Sequence, residues 1–433
     1  MNSSQSIFKT KNFFSYYKME NDINRIVEVF SKHQYDIVGR EYRKINPIFG
    51  TESNMNKNGN YIKFNVDLSD EFLSCDVKLK ISGTYSSKDS KNPYDGTTSS
   101  TAKMIDNYVA HLFDRIEVYK NNTLIDEIEN PGIASTVFTC VTQNGPLLSD
   151  GLLTMNSFKS TAVHGGYFNA FCNLSDLGLG FFKANVPLYE GKLEVVFRRN
   201  SDDNVLYRWG TSPPAEGQIV IKEFCLEVPV ISYDNTAKIG LLSEIRNLKY
   251  IVPFKQWQCI ELHSVSGQTF SRDITGLYRN NINPIFAFVV FQKDRLNNQL
   301  ADNSAFDHMN VKNFYLELGG KRYPTKSQNL NWDENDYCLA YDAYTVFKRT
   351  LMNNRNMHCL DMNQFKTRYP IYSIDMSNQP LTLNGTKASI YLNVDFSKNV
   401  DPPSDGKGTV CYVILVSQKI LQIDIAHNTV NFL

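Results

Sequence analysis

From Tyr61 onward, apolar and polar positions alternate with a period of two. Ile62, Phe64, Val66 and Leu68 are interleaved with Lys63, Asn65 and Asp67, and Val77, Leu79 and Ile81 with Lys78 and Lys80. Such alternation puts one face of a strand in a core and the other in solvent, the pattern of a half-buried antiparallel sheet. Ile116 and Val118 lead into Asn121-Asn122 and out through Leu124, a hairpin signal. Leu193, Val195 and Phe197, and later Gln218 to Ile231, predict further strands. Helical spacing is sparse. It predicts a short amphipathic helix from about Asp22 to Lys32, through Ile23, Ile26, Val27 and Phe30, and two more at Ile133–Thr142 and Ala237–Arg246. Short strands separated by turn chemistry predict a β-sandwich.

The second half repeats the plan of the first. Phe314, Leu316 and Leu318 run into Gly319-Gly320 as Ile116 and Val118 run into Asn121-Asn122. Ile390, Leu392, Val394 and Phe396 match Leu193, Val195 and Phe197. Pro402-Pro403-Ser404-Asp405-Gly406 precedes the strand Val410–Val416 as Pro213-Pro214-Ala215-Glu216-Gly217 precedes Gln218–Val228. Three features in one order, roughly 190–200 residues apart, indicate an internal duplication. The division expected is an N-terminal arm over 1–50, a first sandwich over 51–233, a connector over 234–246 and a second sandwich over 247–433. The arm, set off by Asn46-Pro47 and an Asn-rich loop, is expected outside the main body.

Composition narrows the function. The 433 residues carry 45 Lys+Arg and 45 Asp+Glu, a net charge of +0, which argues against a basic nucleic-acid coat. The longest apolar run, Ile285 to Phe291, is far short of the ~20 residues that span a bilayer, so no stable membrane insertion is expected. The start has no apolar stretch ending in a small-residue cleavage site and does not read as a secretory signal. The eight cysteines are scattered without a C-x-x-C pair and sit mostly in apolar runs. They are expected to be reduced core residues of an intracellular product.

No catalytic, cofactor or metal site is expected. The seven histidines never fall within four residues of one another, and His358-Cys359 would point to opposite faces of a strand. Asp307-His308 offers an acid and an imidazole, and reads as a hydrogen-bonded turn rather than as catalysis. His263-Ser264-Val265-Ser266-Gly267 lacks the first glycine of a nucleophile elbow. Gly406-Lys407-Gly408-Thr409 and Gly178-Leu179-Gly180 lack the frames of phosphate and dinucleotide loops. Asp333-Glu334-Asp336 and Asp202-Asp203 lack the spacing of a calcium loop. The residues singled out are Arg40, Arg43 and Lys44, interleaved with Tyr35 and Tyr42, a basic-aromatic stretch able to meet phosphate of a genome or an acidic partner surface.

Four stretches carry a family resemblance: Pro187-Leu188 with Lys192 through Asn204; Ile251-Val252-Pro253-Phe254-Lys255-Gln256-Trp257; Pro284 through Gln292 continuing to Phe306-Asp307-His308; and Leu316 through Tyr323-Pro324. In these the chain resembles the double-jelly-roll major capsid proteins of tailless double-stranded DNA viruses, the lineage of adenovirus hexon, adintoviruses and Polinton elements. Within it, the chain is most similar to double-jelly-roll-like proteins of viral origin encoded in insect genomes. The resemblance covers more than half the chain from about Leu188, and is weaker before it. It implies an all-β fold of two tandem antiparallel eight-stranded jelly-roll β-sandwiches with an N-terminal helical arm. It further implies a non-enzymatic structural protein that forms a homotrimer, a pseudo-hexagonal capsomer tiling an icosahedral virion shell. Neighbouring capsomers, a penton and minor capsid proteins would be its partners. Tyr85–Ala102, Arg198–Glu216 and Leu296–Ala305 are expected as outward or inter-subunit loops. The alternative function is a host-retained tandem jelly-roll binding protein, lectin-like, with an enzyme third.

Overall fold

A computed structural model describes residues 25–48, 55–68, 71–87, 102–143, 163–164, 166–184, 186–209, 216–246, 250–280, 282–351, 359–379, 387–404, 407–424 and 429–432. Among the described residues, sixteen strands carry the plan common to the two sandwiches, with short strands added at their edges. The first eight are β1 (Ile37–Ile45), β2 (Tyr61–Asp67), β3 (Lys78–Ser87), β4 (Phe113–Lys120), β5 (Thr123–Glu129), β6 (Tyr167–Asn173), β7 (Lys192–Arg199) and β8 (Gly217–Tyr233). The second eight are β9 (Tyr250–Val265), β10 (Gly267–Asp273), β11 (Phe286–Lys293), β12 (Val311–Leu318), β13 (Lys321–Tyr323), β14 (Tyr372–Asp375), β15 (Ile390–Val400) and β16 (Thr409–Asp424).

The pairing is antiparallel throughout. One sheet of the first sandwich runs β1-β8-β3-β6 and its facing sheet β2-β7-β4-β5; the second sandwich runs β9-β16-β11-β14 and β10-β15-β12-β13. Every strand of the first set therefore has a counterpart eight places later in the same position. The duplication read from the sequence is a duplication of topology, and the fold is two tandem antiparallel jelly rolls. Short strands extend the first set: Phe72–Leu73 along β8, Leu188–Tyr189 beside Phe72–Leu73, and Val163–His164 beside β6.

Local chemistry explains the elements. In β2 the burial alternates strictly, with Ile62, Phe64 and Val66 inside. The β4–β5 hairpin turns at Asn121 (φ 49) and Asn122 (φ 66), both in the left-handed region that Asn tolerates. Its counterpart turns at Gly319 (φ 56) and Gly320 (φ 80). Each sandwich closes on aromatic rings donated by both of its sheets. Phe64 lies 4.9 Å from Phe224, and Phe113 4.8 Å from Phe197; in the second, Phe291 lies 5.7 Å from Phe396 and Phe314 5.0 Å from Tyr372. Edge-to-face and tilted pairs of this kind add ~0.5–1.5 kcal/mol each beyond the area they bury.

Among the described residues, the helices that flank the sandwiches include α1 (Pro131–Thr142), α2 (Asn235–Arg246), α3 (Cys338–Leu351) and α4 (Met362–Thr367). The first two match the helices predicted from spacing. The last two lie outside those predictions, although Ala340, Tyr344 and Phe347 are buried at helical spacing. A helix also occupies 25–32 of the span expected to be helical.

The N-terminal expectation needs correction in one respect. Residues 37–45 do not lie outside the body: as β1 they pair with β8 from Ile37↔Tyr233 to Ile45↔Leu226. Ahead of them, Ile26 and Phe30 are buried, Phe30 against Phe72 and Tyr250. The physical reason is that β8 is 17 residues long and offers a ladder on both edges, to β3 on one side and β1 on the other.

Candidate functional site

The polar groups that could suggest chemistry are engaged structurally. Asp307 accepts from Arg295 Nη2 at 2.7 Å and Nε at 2.9 Å, and from the Lys293 amide at 2.8 Å. His308 stacks on Trp332 at 4.6 Å, and its Nδ1 accepts from the Asn310 amide; burial lowers its pKa. Asp202 pairs with the fully buried Arg199 and accepts from the Ile219 amide, while Asp203 accepts from Gln299 at 2.7 Å. Asp333 pairs with Lys398 at 2.8 Å. Among the described residues, no group of three or more His, Cys, Asp or Glu is placed to hold a metal ion. All eight cysteines are free, and seven are buried, with Cys338 exposed.

A cavity of about 290 Å³ lies between the sandwiches, lined among others by His111, Asp114, Asn200, Glu261, His263 and Asn297. Burial drives the His111 pKa down to about 4, so the imidazole is neutral at pH 7. Glu261 accepts from Asn130 at 2.9 Å. The lining thus joins the two sandwiches.

The distinctive surface of the molecule is the contact between the sandwiches. It is built on β9 and received by α1 and by residues 180–183. Pro at the first turn starts α1, and its residues are buried from Pro131 to Val141. Its hydroxyls are satisfied within the helix, Ser135 donating to the Pro131 carbonyl and Thr136 to the Gly132 carbonyl. Phe138 then meets Trp257 of β9 edge to face at 5.0 Å, and Trp257 stacks on Phe288 at 5.6 Å. Tyr344 of α3 donates to the Cys140 carbonyl at 2.6 Å. Phe181 packs on Phe254 at 5.7 Å. At Gly180 the two sandwiches approach so closely that a Cβ would overlap the Lys255 carbonyl oxygen.

Polar pairs surround this apolar centre. Arg279 donates to Glu127 at 2.6 Å and Glu129 at 2.7 Å, and Arg368 links Asp106 to Asp302 at 3.0 Å each. Residues 296–305, expected as an outward or inter-subunit loop, close against the first sandwich of the same chain. Gln299 donates to the Gly217 carbonyl and accepts from its amide, and Asn297 accepts from Asn204. The Gln299 amide thereby matches both backbone groups of the buried Gly217. Of the other two expected loops, most of Tyr85–Ala102 and residues 210–215 of the third lie outside the described residues.

Asp126 sits fully buried in this contact, accepting from the Phe181 amide and the Glu127 amide at 3.0 Å each. Burial pushes its carboxyl up to about 7, against the pull of these donors and of Lys419. No sequence signal marks Asp126 or Arg279, and Gly180 stands out only in a Gly178-Leu179-Gly180 string that lacks a dinucleotide frame.

Arg40, Arg43 and Lys44 all fall on β1. Arg43 makes a two-pronged pair with Glu71 at 2.5 and 2.6 Å, and Lys44 pairs with Glu223 at 2.6 Å. Arg40 is exposed, as are Val38 and Tyr42 beside it and Tyr35 just before the strand.

The architecture defines a class: two jelly rolls in tandem, joined into one body by a large internal contact. The chain belongs to the double jelly roll-like domain family, whose sequence pattern matches residues 102–421. Among curated proteins none matches the sequence. Solved structures share the fold at low identity. The VP54 protein of the virus PBCV-1, fitted into a reconstruction of the virophage Sputnik, is 12% identical with a TM-score of 0.55, over 91% of this chain and 96% of that one. The Faustovirus major capsid protein is 10% identical with a TM-score of 0.53, over 89% and 90%. The mavirus major capsid protein is 11% identical with a TM-score of 0.52, over 90% and 89%.

Proposed function

We propose that this chain is a structural, non-enzymatic capsid protein whose trimer forms a pseudo-hexagonal capsomer in the shell of a double-stranded DNA virus or virus-like element. The observation that carries the reading is the repeat of one eight-strand plan in two sandwiches fixed side by side. Three such chains supply six equivalent sandwiches, the number a hexagonal tile needs. Likeness over nearly the whole chain to capsid proteins of three viruses supports the same role. In this reading the first jelly roll begins at β1, α2 with its flanks is the connector, and the second jelly roll begins at β9. The virion is the location, and neighbouring capsomers, a penton and minor capsid proteins are the partners.

Size-exclusion chromatography with light scattering tests it. The expected mass is three times the 49.5 kDa of one chain, with hexagonal outlines in electron micrographs. A chain that stays monomeric at high concentration contradicts it.

A further inference from the structure

We infer that the cavity between the sandwiches is a binding site for a small organic amine, a linear di- or polyamine whose ammonium ends meet Asp114 of the first sandwich and Glu261 of the second. Such a site goes beyond the capsid role and does not depend on it.

The cavity measures about 290 Å³. A closed space of ~150 Å³ takes one benzene, so this one has room for roughly ten non-hydrogen atoms, the size of a short amine chain. Two polar atoms of its lining have no hydrogen-bond partner among the described residues. His111 is only 4% exposed, yet its Nε2 is unpaired, and so is the buried Oδ1 of Asp114. Gly132, at the start of α1, makes room for that imidazole: a Cβ there would lie 2.4 Å from the ring. Buried polar atoms are as a rule paired, so these two mark a place for a ligand.

The lining sets the charge of that ligand. It contains Asp114 and Glu261 and, among the described residues, no lysine or arginine. His111 adds no positive charge, and the charge acting on it, that of Asp302, is negative too. The ionic neighbours of the two carboxylates are solvent-exposed: Arg198 stands 3.5 Å from Asp114, and His263 3.4 Å from Glu261. Burial raises the Asp114 carboxyl in spite of Arg198 and Arg115. The amide nitrogens nearby are already committed, that of Asn130 to Glu261, that of Gln292 to the Asn303 and Ala305 carbonyls, and that of Asn303 to Asn204 and the Asp203 carbonyl. Oxygens are what these amides can offer a ligand. An acidic, oxygen-rich lining calls for N–H donors that carry positive charge. A metal ion would need more ligands than the described residues bring together, whereas an ammonium group is held by a carboxylate and neutral oxygens. Carboxylates from two sides of the cavity suit an amine charged at both ends.

Calorimetric titration of the full chain with putrescine tests the site, with butylamine and butanediol as probes that lack one or both charges and magnesium ions as the competing cation. Putrescine should bind once per chain and raise the melting temperature, butylamine should bind at least about tenfold more weakly, and butanediol should not bind. Asp114→Asn and Glu261→Gln should each weaken putrescine at least about tenfold. Leu296→Trp, which fills the cavity with both carboxylates in place, should abolish binding. Asp333→Asn, in a surface pair with Lys398, should bind as the wild type does. Melting without ligand checks the folding of each variant, and the probe series decides even where a substitution unfolds the chain. A wild type that does not bind putrescine overturns the site, as does binding that the three cavity variants retain. Butanediol bound as tightly as putrescine, or magnesium that displaces putrescine at equal concentration, overturns the amine as its ligand.

Discussion

β1 and β9 hold the same place in two copies of one plan, each the outer neighbour of the last long strand of its sandwich. β9 runs 16 residues and is largely buried; β1 runs nine, and Val38 through Tyr42 are all exposed. The sequences reflect this. β9 carries Trp257, Cys259 and Ile260 in its centre, whereas β1 carries Gly39, Arg40, Glu41 and Arg43. The strand pairing is common to both, so the difference comes from what lies on top. β9 is covered by α1 and residues 180–183, and β1 by no described element comparable to them. An edge strand with alternating charge is a surface that stays soluble alone and selects its partner by charge.

Removing β1 is the most severe way to break the comparison. Deletion of residues 1–45 should leave β8 with an unpaired edge and Leu226 to Tyr233 without their ladder, giving insoluble protein or a melting temperature lower by many degrees. A truncated chain that melts with the full chain would show that β1 is dispensable to its sandwich. Trp257→Ala, which empties the ring cluster over β9, should cost about 3–5 kcal/mol in denaturant unfolding.

The buried Asp126 gives the contact a pH dependence. Its folded pKa, near 7, lies above the ordinary carboxyl value of ~3.9. The folded state therefore holds the proton that the unfolded state releases, and the contribution is intact below about pH 4 and lost as pH rises through about 7. The loss is at most about 4 kcal/mol. Asp126→Asn should flatten this slope, read as the difference in unfolding free energy between variant and wild type at pH 4.5 and 7.5. A difference that does not change with pH would place Asp126 in an open environment.

Gly180→Ala should cost about 1–3 kcal/mol by forcing the sandwiches apart at Lys255. Tyr42→Ala should change monomer unfolding by no more than about 0.5 kcal/mol, since its ring is exposed. The contrast between Trp257 and Tyr42 isolates the effect of the cover.

How much of the fold and of the contact was legible in the sequence depends on the range of the interaction. Period-two alternation is local, and it located β2, β3, β4, β7, β12 and β15. The duplicated order Asn121-Asn122 to Gly319-Gly320 was enough to pair the sandwiches. β1 reads as a detached arm because Val38-Gly39-Arg40-Glu41-Tyr42 has no apolar alternation; its partner, β8, lies nearly 190 residues away and pairs through backbone groups that leave no side-chain pattern. Arg40, Arg43 and Lys44 stand out for charge and aromatic neighbours, and the structure puts them on one strand with Arg43 and Lys44 committed to Glu71 and Glu223. Asp126 and Gly180 were illegible because their roles exist only when two sandwiches meet.

Light scattering on the full chain tests the capsid reading most directly. The chain should run at three times 49.5 kDa and hold that mass on dilution. A chain that runs as a single copy at every concentration would contradict it.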